Sequence, residues 1–369
     1  MIGNGAVNSP LFFSVMEEDG NRNIKCDLCP ARCVITPGKT GRCGVRGNSG
    51  GDSSNGRPAL PYYGFITAMA VDPIEKKPLY HFRPGSEIFS VGFAGCNLRC
   101  PFCQNWHISQ IIHDKKTAAE GQFLSAGNLI ARVMANKNTG STAAMQSIAY
   151  TYSEPLVHIE FLLDCMKEAR KTGIANVLVT NGCINGEAAE EVLGYVDAAN
   201  IDLKCFSEET YKNVLGGRLD TVLDFIVKAV DKGVHAEITT LLVPGLNDGR
   251  MELNKCRDFI AELEVKGRAV PWHLSAYHPS YKWNAPATDP QFILETAKWA
   301  REKLPYVYTG NIAVYGGEEK NNNTICRHCG KTLVSRLGYR IDTKGLTLKE
   351  GTGLFYTCSY CGRETPIRY

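Results

Sequence analysis

The most constraining feature of this chain is the loop from Gly95 to Cys103, which carries Cys96, Cys100 and Cys103 at C-x3-C-x2-C spacing. It directly follows an apolar run, 88–93, that predicts a β-strand. Thiolates are the usual protein ligands of iron–sulfur clusters, and a fully ligated four-iron cluster needs four of them. Three close thiols therefore predict a 4Fe–4S cluster with one iron left open for chemistry. A fourth cysteine would instead close the site as an inert cluster or a zinc site.

Two further cysteine sets lie near the ends of the chain, and both have metal-ligand spacing. The N-terminal set is Cys26, Cys29, Cys33 and Cys43. Four thiols within this short stretch can close one site, which predicts either zinc or an auxiliary iron–sulfur cluster. The C-terminal set is Cys326, Cys329, Cys358 and Cys361, arranged as two C-x2-C knuckles. This pattern is typical of a zinc ribbon or a rubredoxin and predicts one structural zinc or iron.

Composition limits the compartment and the partners. Eleven of the 15 cysteines fall in the three sets described above, which favours metal binding in a reducing, cytoplasmic compartment over disulfides. A formal charge of +3 over 369 residues gives no electrostatic argument for a nucleic-acid partner. No apolar run reaches about 18 residues, so no membrane span is expected.

Between the cysteine sets, short apolar runs alternate with longer amphipathic segments. The candidate strands are 88–93, 148–152, 175–180, 199–203, 235–243, 272–276 and 306–308, with helical patterns over 156–171, 221–232 and 292–304. This alternation calls for parallel strands joined by right-handed crossovers. It predicts an α/β fold, a partial (β/α)6 barrel over residues 59–315. Small cysteine-rich metal-binding units are expected at both ends, over 1–58 and 316–369.

Polar residues recur directly after the predicted strands. They include Ser153 and Glu154 after the second strand, Asn181 after the third, Asp202 and Lys204 after the fourth, and His278 after the sixth. In barrels of this type the catalytic residues lie at the carboxyl ends of the strands. We therefore expect one site there, together with the cysteine loop. The competing structural roles are a helix cap for Glu154, an Asp202–Lys204 ion pair, and a loop position for His278.

At Cys96, Cys100 and Cys103 the chain resembles the radical S-adenosylmethionine (SAM) superfamily, whose members bind a 4Fe–4S cluster through this spacing. Gly95 and the following Gln104-Asn105-Trp106 resemble relatives of the pyruvate formate-lyase activating enzymes. The stretch from Asp72 to Phe82 (DPIEKKPLYHF) is similar to the AmmeMemoRadiSam-system radical SAM enzymes nearly throughout. The resemblance runs from about Cys26 to about Cys361, and the radical SAM core fold is a partial (β/α) barrel.

The resemblance implies roles for the residues after the strands. Glu154 matches the glutamate of a Gly-Gly-Glu-Pro motif near the SAM amine, although Ser153 precedes it here. Asp202 and Lys204 match an Asp-Leu-Lys motif, and His278 matches a histidine after the sixth strand. Asn181 belongs to a matching Thr-Asn-Gly, but the aspartate that often precedes that motif is replaced by Val179. The expected SAM contacts are therefore Ser153, Glu154, Asn181, Asp202, Lys204 and His278.

The implied function is that of a radical SAM oxidoreductase related to pyruvate formate-lyase activating enzymes. Its 4Fe–4S cluster would cleave SAM reductively, and the 5′-deoxyadenosyl radical would abstract hydrogen from a substrate. A flavodoxin- or ferredoxin-type donor would supply the electron. The substrate is either a glycyl residue of a partner protein, or a small molecule or peptide processed with Memo- or AMMECR-type partners. A second class of function is a metal-stapled module that binds RNA or protein.

Overall fold

The structure is a computed structural model that describes residues 10–18, 20–50, 55–110, 120–137, 145–264, 269–312, 322–348 and 354–369. The N-terminal unit consists of short antiparallel strands. They are β1 (Phe13–Glu18), β2 (Asn21–Cys26), β3 (Val34–Ile35), β4 (Gly47–Asn48) and β5 (Pro58–Ala59). The predicted domain boundary after residue 58 falls inside the last of these strands.

A nine-stranded sheet forms the centre of the molecule. Its strands are β6 (Phe65–Pro73), β7 (Glu87–Phe93), β8 (Gln122–Phe123), β9 (Ser147–Thr151), β10 (Ala175–Thr180), β11 (Ala198–Asp202), β12 (His235–Leu242), β13 (Trp272–Ala276) and β14 (Val307–Gly310). Their order is β14-β13-β12-β11-β10-β9-β7-β6-β8. From β7 to β14 neighbouring strands in this order pair in parallel, and β6 pairs antiparallel with both of its neighbours, β7 and β8. The predicted α/β class with a parallel-strand sheet is confirmed.

Helices connect the parallel strands. They are α1 (Trp106–Ser109), α2 (Ala126–Lys137), α3 (Ile159–Lys171), α4 (Gly186–Leu193), α5 (Glu208–Thr210), α6 (Leu219–Asp231), α7 (Arg250–Glu262) and α8 (Pro290–Ala300). Short 3-10 turns cover Ile74–Lys76 and Pro155–His158, and a π-helical turn covers Tyr211–Leu215. The apolar residues of α3 and α6 recur three and four apart, and residues such as Leu162, Met166 and Phe225 are fully buried against the sheet. This burial fixes the helices on one side of the sheet.

The segment after β6 explains the Asp72–Phe82 stretch singled out in the sequence. The Asp72 carboxylate is buried and accepts hydrogen bonds from Lys76, Lys77, Ser90 and Tyr152. Burial alone would raise the pKa of Asp72, but these hydrogen bonds and the Lys77 charge hold it well below its usual value. The motif therefore ties β6 to β7 and to the turn after β9.

The C-terminal unit is built from two small sheets. Its strands are β15 (Thr324–Ile325), β16 (Thr332–Leu337), β17 (Arg340–Asp342), β18 (Leu346–Thr347), β19 (Phe355–Cys358) and β20 (Glu364–Arg368). Backbone hydrogen bonds join it to the segment between β6 and β7, because Arg83 N donates to Arg368 O and Arg368 N donates to His81 O. The predicted boundary between residues 315 and 316 lies outside the described residues.

Candidate metal and cofactor site

The cysteine loop directly follows β7. Gly95, at its start, has a φ of +82°, and a Cβ there would lie 2.5 Å from the Cys43 carbonyl oxygen. Only glycine fits this close approach without strain. The cysteine loop therefore packs directly against the N-terminal cysteine set.

All three loop cysteines line one cavity of about 250 Å³, which we call the cysteine cavity. Its other polar lining residues are Gln104, Asn105, Ser109, Tyr152, Ser153, Glu154, Asn181, Asp202, Lys204, Thr239 and Ser275. These residues come from the ends of β7, β9, β10 and β11 and from the interior of β12 and β13. The carboxyl ends of consecutive parallel strands thus meet around the three thiols, as expected for a site in this type of fold.

The thiols are held in a low-dielectric setting. Burial raises the pKa of Cys100 to about 12 and that of Cys96 well above its usual value. Leu98 N donates to Cys96 Sγ at 3.3 Å, and Cys103 Sγ lies 3.3 Å from Ser109 Oγ. A bound cation would favour the thiolate forms, since metal ligation replaces the proton.

Asp202 and Lys204 face the cysteine cavity as an ion pair, with Nζ and Oδ2 2.7 Å apart. The intervening Leu203 is fully buried in the core. Burial alone would lower the pKa of Lys204, but the Asp202 carboxylate and the nearby Cys100 thiol raise it above its usual value. Lysine is therefore kept charged beside the three cysteines.

Glu154 is buried and hydrogen-bonded through both carboxylate oxygens. Its Oε1 accepts from Leu156 N at 3.0 Å and from Thr180 Oγ1 at 2.6 Å, and its Oε2 accepts from Asn181 N at 2.8 Å. It thus caps the turn after β9, as the structural alternative predicted. A carboxylate offers about four acceptor positions, so about one remains for a ligand donor. Burial raises the pKa of Glu154 to about 7.

Ser153 and Asn181 complete this wall. Ser153 Oγ is buried with no hydrogen-bond partner in the described part of the chain. Asn181 Nδ2 donates to Asn97 Oδ1 at 3.0 Å and lies 3.7 Å from Cys96 Sγ. A zwitterionic ligand needs partners for both of its charges. The cavity offers Lys204 for a negative group and the spare acceptor of Glu154 for a positive one, with the unpaired Ser153 hydroxyl beside them.

His278 occupies a different position. It is exposed, its Nε2 lies 3.3 Å from Asn311 O, and it is absent from the described lining of the cysteine cavity. Its predicted role as a SAM contact stays a prediction. The residues that sequence reasoning missed, Thr239 and Ser275, lie within strands rather than after them, so strand-end position gave no signal for them.

The C-terminal cysteines form a compact group. The sulfurs of Cys326, Cys329, Cys358 and Cys361 all lie within 4.8 Å of one another. The two knuckles have the same backbone hydrogen bond, from Gly330 N to Cys326 O and from Gly362 N to Cys358 O, both 2.9 Å. Both glycines have a φ of +70°. This geometry fits a single tetrahedrally bound metal ion.

The N-terminal cysteines are arranged differently. Among the described residues, the C-terminal group is the only set of three or more histidine, cysteine or acidic side chains close enough for one metal ion. Burial raises the pKa of Cys29 to about 12, with smaller contributions from Cys43, Cys26 and Cys183. Cys29 and Cys183 also line one small cavity together. The choice between zinc and an auxiliary cluster at this set stays a prediction.

Fold and site together define an α/β protein with an open parallel sheet and a cysteine-lined cavity at the carboxyl ends of its strands. A family model described as the radical SAM superfamily matches residues 90–256. An uncharacterized protein of Methanocaldococcus jannaschii is 36% identical over 363 residues, which covers 97% of this chain and 98% of that protein. The chain belongs to the radical SAM superfamily.

Two further relatives are activating enzymes. The pyruvate formate-lyase-activating enzyme of Clostridium pasteurianum is 27% identical over 196 residues, covering 53% of this chain and 79% of the relative. The pyruvate formate-lyase 1-activating enzyme of Escherichia coli is 24% identical over 230 residues, covering 62% and 89%. Among solved structures, a radical SAM methyltransferase from Sphaerobacter thermophilus has a TM-score of 0.47 at 13% identity, covering 62% of this chain and 67% of that chain. Family membership implies a 4Fe–4S cluster and SAM.

None of the helices in the described ranges is long and apolar enough to cross a membrane.

Proposed function

We propose that this protein is a radical SAM oxidoreductase whose 4Fe–4S cluster is held by Cys96, Cys100 and Cys103. When bound, the cluster supplies the electron that splits SAM into methionine and a 5′-deoxyadenosyl radical, which removes hydrogen from a substrate. The observation that carries the proposal is the convergence of three thiols, a lysine–aspartate pair and a buried glutamate on one cavity.

The chain's own residues would bind and orient SAM. Lys204 offers a positive charge for the SAM carboxylate, and Asp202 keeps that lysine charged. The remaining acceptor position of Glu154 suits the SAM amine. Ser153 lies on the same wall and can donate a further hydrogen bond. Asn181 lines this wall too, with its amide nitrogen directed to Asn97 and Cys96.

Two substrate classes compete. The relatives named as pyruvate formate-lyase activating enzymes support a glycyl residue of a partner protein as the substrate. The resemblance to AmmeMemoRadiSam-system enzymes supports a small molecule or peptide handled with Memo- or AMMECR-type partners. A flavodoxin- or ferredoxin-type protein would donate the electron in either case. None of the fifteen cysteines forms a disulfide, which supports a reducing compartment such as the cytoplasm.

The terminal cysteine sets are proposed as structural or auxiliary metal sites. Cys326, Cys329, Cys358 and Cys361 would hold one zinc or iron, and the compact sulfur group supports this. Cys26, Cys29, Cys33 and Cys43 would hold zinc or a second cluster. A module that only binds RNA or protein would leave the cysteine cavity without a use, so we favour the enzyme.

The test is anaerobic reconstitution followed by measurement of 5′-deoxyadenosine release in the presence of a reductant. The Cys100→Ala variant should lose SAM cleavage while the C-terminal metal is retained in elemental analysis. Cys165→Ala is the matched control, because Cys165 is an equally buried thiol on α3, away from the cavity. Release at the wild-type rate from Cys100→Ala would refute the assignment.

A further inference from the structure

A second cavity, larger than the cysteine cavity, opens beside it. This side cavity has a volume of about 540 Å³ and is lined by β12–β14, by the segment after β6, and by the β16–β17 hairpin of the C-terminal unit. Thr239 and Ser275 line both cavities. The two cavities are therefore neighbours, and a molecule in the side cavity would lie next to the cysteine cavity.

Two buried oxygen atoms of the lining are unsatisfied within the described residues, and so is the Arg336 Nε nitrogen. Thr239 Oγ1 has no hydrogen-bond partner there. Glu75 is 5% exposed, and its Oε1 accepts from Gly85 N at 2.8 Å, whereas its Oε2 has no partner there. Leaving a buried polar atom unpaired costs free energy, so such atoms point to a bound partner.

The two cations of the lining, Arg336 and Lys76, each have partners within the protein. Arg336 donates from its terminal nitrogens to Asn322 O, Thr324 Oγ1 and Tyr80 O. Lys76 pairs with Asp72 at 2.8 Å. Glu75 Oε2 therefore remains available as an acceptor, because neither of these two cations is hydrogen-bonded to it. Burial raises the pKa of Glu75, and a cation beside it would lower that pKa again.

The wall around Glu75 is aromatic as well as acidic. The Tyr80 ring lies 4.8 Å from the His273 ring in an edge-to-face arrangement, and both residues line the side cavity. The Arg336 guanidinium already lies over the Tyr80 ring, 4.3 Å from the ring centroid. The free carboxylate oxygen of Glu75 is therefore the group that suits a cationic nitrogen, through ion pairing. The volume lies in the range of small-molecule sites, roughly 300 to 1,000 Å³.

We propose that the side cavity binds the small-molecule substrate of the radical reaction, which carries a protonated amine or amidine that pairs with Glu75. The rest of the substrate extends past Thr239 and Ser275 toward the cysteine cavity. This inference rests on the proposed function, and it favours the small-molecule alternative over a glycyl residue of a partner protein.

Benzamidine, a planar aromatic amidinium, is the probe, and benzoate is its anionic counterpart. Binding to the metal-loaded full chain is measured by calorimetry and by saturation-transfer NMR. Glu75→Gln removes the carboxylate charge, and Gly310→Trp fills the cavity from β14, where an added Cβ would lie 3.6 Å from Ser275 Oγ. Glu191→Gln, on the exposed face of α4, is the matched control. Thermal unfolding checks that each variant folds.

We expect benzamidine to bind wild type and Glu191→Gln equally, and to bind Glu75→Gln and Gly310→Trp roughly tenfold more weakly or not at all. Absence of benzamidine binding to wild type, unchanged binding to the folded Gly310→Trp or Glu75→Gln variant, or a preference for benzoate would overturn the inference. Benzamidine binding does not depend on SAM cleavage. A wild-type protein that cleaves SAM but does not bind benzamidine would refute this inference and leave the proposed function standing.

Discussion

At the scale of single residues, Glu154 shows why structural and functional roles need not exclude each other. It caps the turn after β9 through Leu156 N, and it also faces the three cysteines. The capping role follows from its position before Pro155, a signal that sequence reasoning can use. The hydrogen bonds from Thr180 and Asn181 join residues far apart in sequence, so only the folded sheet reveals them.

Lys204 gives the most direct test of SAM binding. Lys204→Ala removes the one lysine of the described cavity lining, so SAM affinity should fall by roughly tenfold or more while cluster content stays unchanged. Binding is measured by equilibrium dialysis with labelled SAM, and cluster content by iron and sulfide analysis. Lys232→Ala, on a surface ion pair with Glu190, is the control and should bind normally. Equal SAM affinity in both variants would remove Lys204 from the site.

His158 predicts part of the pH dependence of stability. Burial lowers the pKa of His158 from 6.5 to about 4, and its Nε2 lies 2.7 Å from Ala94 O. Between pH 6.5 and about pH 4, His158 is therefore protonated in the unfolded chain but neutral in the folded chain. The free energy of unfolding falls as the pH falls through this range. Between about pH 7.5 and about pH 5.5, His158 should account for a loss of roughly 1 kcal/mol.

Denaturant titrations of wild type and His158→Gln at both pH values test this. The glutamine amide can still donate to Ala94 O but does not titrate, so the variant should show a weaker pH dependence. The same pH dependence in both proteins would show that His158 does not contribute.

At the scale of elements, the parallel strands were the most predictable part. All seven candidate strands are present with bounds shifted by at most two residues, because buried parallel strands are continuous apolar runs. The antiparallel β6 was not predicted. Its sequence, FITAMAVDP, ends at the hydrogen-bond network of Asp72 and not at a turn signal. Its pairing with β7 joins two separate segments of the chain, so a local sequence pattern does not reveal it.

The link between the N-terminal unit and α3 is a buried ion pair. Arg46 Nη1 lies 2.7 Å from Glu160 Oε2, and both side chains are 1% exposed. Glu160→Gln leaves the buried guanidinium without its countercharge, so the free energy of unfolding should fall by about 3 kcal/mol. The control is Glu168→Gln on the same helix, which breaks an exposed pair with Lys171 and should cost less than about 1 kcal/mol.

Denaturant-induced unfolding of the two variants measures this difference. Comparable losses for Glu160→Gln and Glu168→Gln would mean that the Arg46 pair does not hold the N-terminal unit in place.

At the scale of the whole molecule, the candidate site was only partly predictable. The residues after strands β7, β9, β10 and β11 all line the cysteine cavity, because parallel strands bring their carboxyl ends to one edge. The side cavity was not foreseen. It is formed where β12–β14, the Asp72–Phe82 stretch and the C-terminal hairpin meet, and no local sequence pattern predicts contacts between such distant segments.

Electron paramagnetic resonance of the reduced, reconstituted protein, recorded with and without SAM, tests the central claim most directly. The account predicts a 4Fe–4S signal that changes when SAM is added, because the cysteine cavity would hold SAM beside the cluster. In Cys100→Ala the SAM-sensitive signal should be absent, whereas Cys165→Ala should keep it. A wild-type spectrum that SAM leaves unchanged, or a SAM-sensitive signal that survives in Cys100→Ala, would contradict the account.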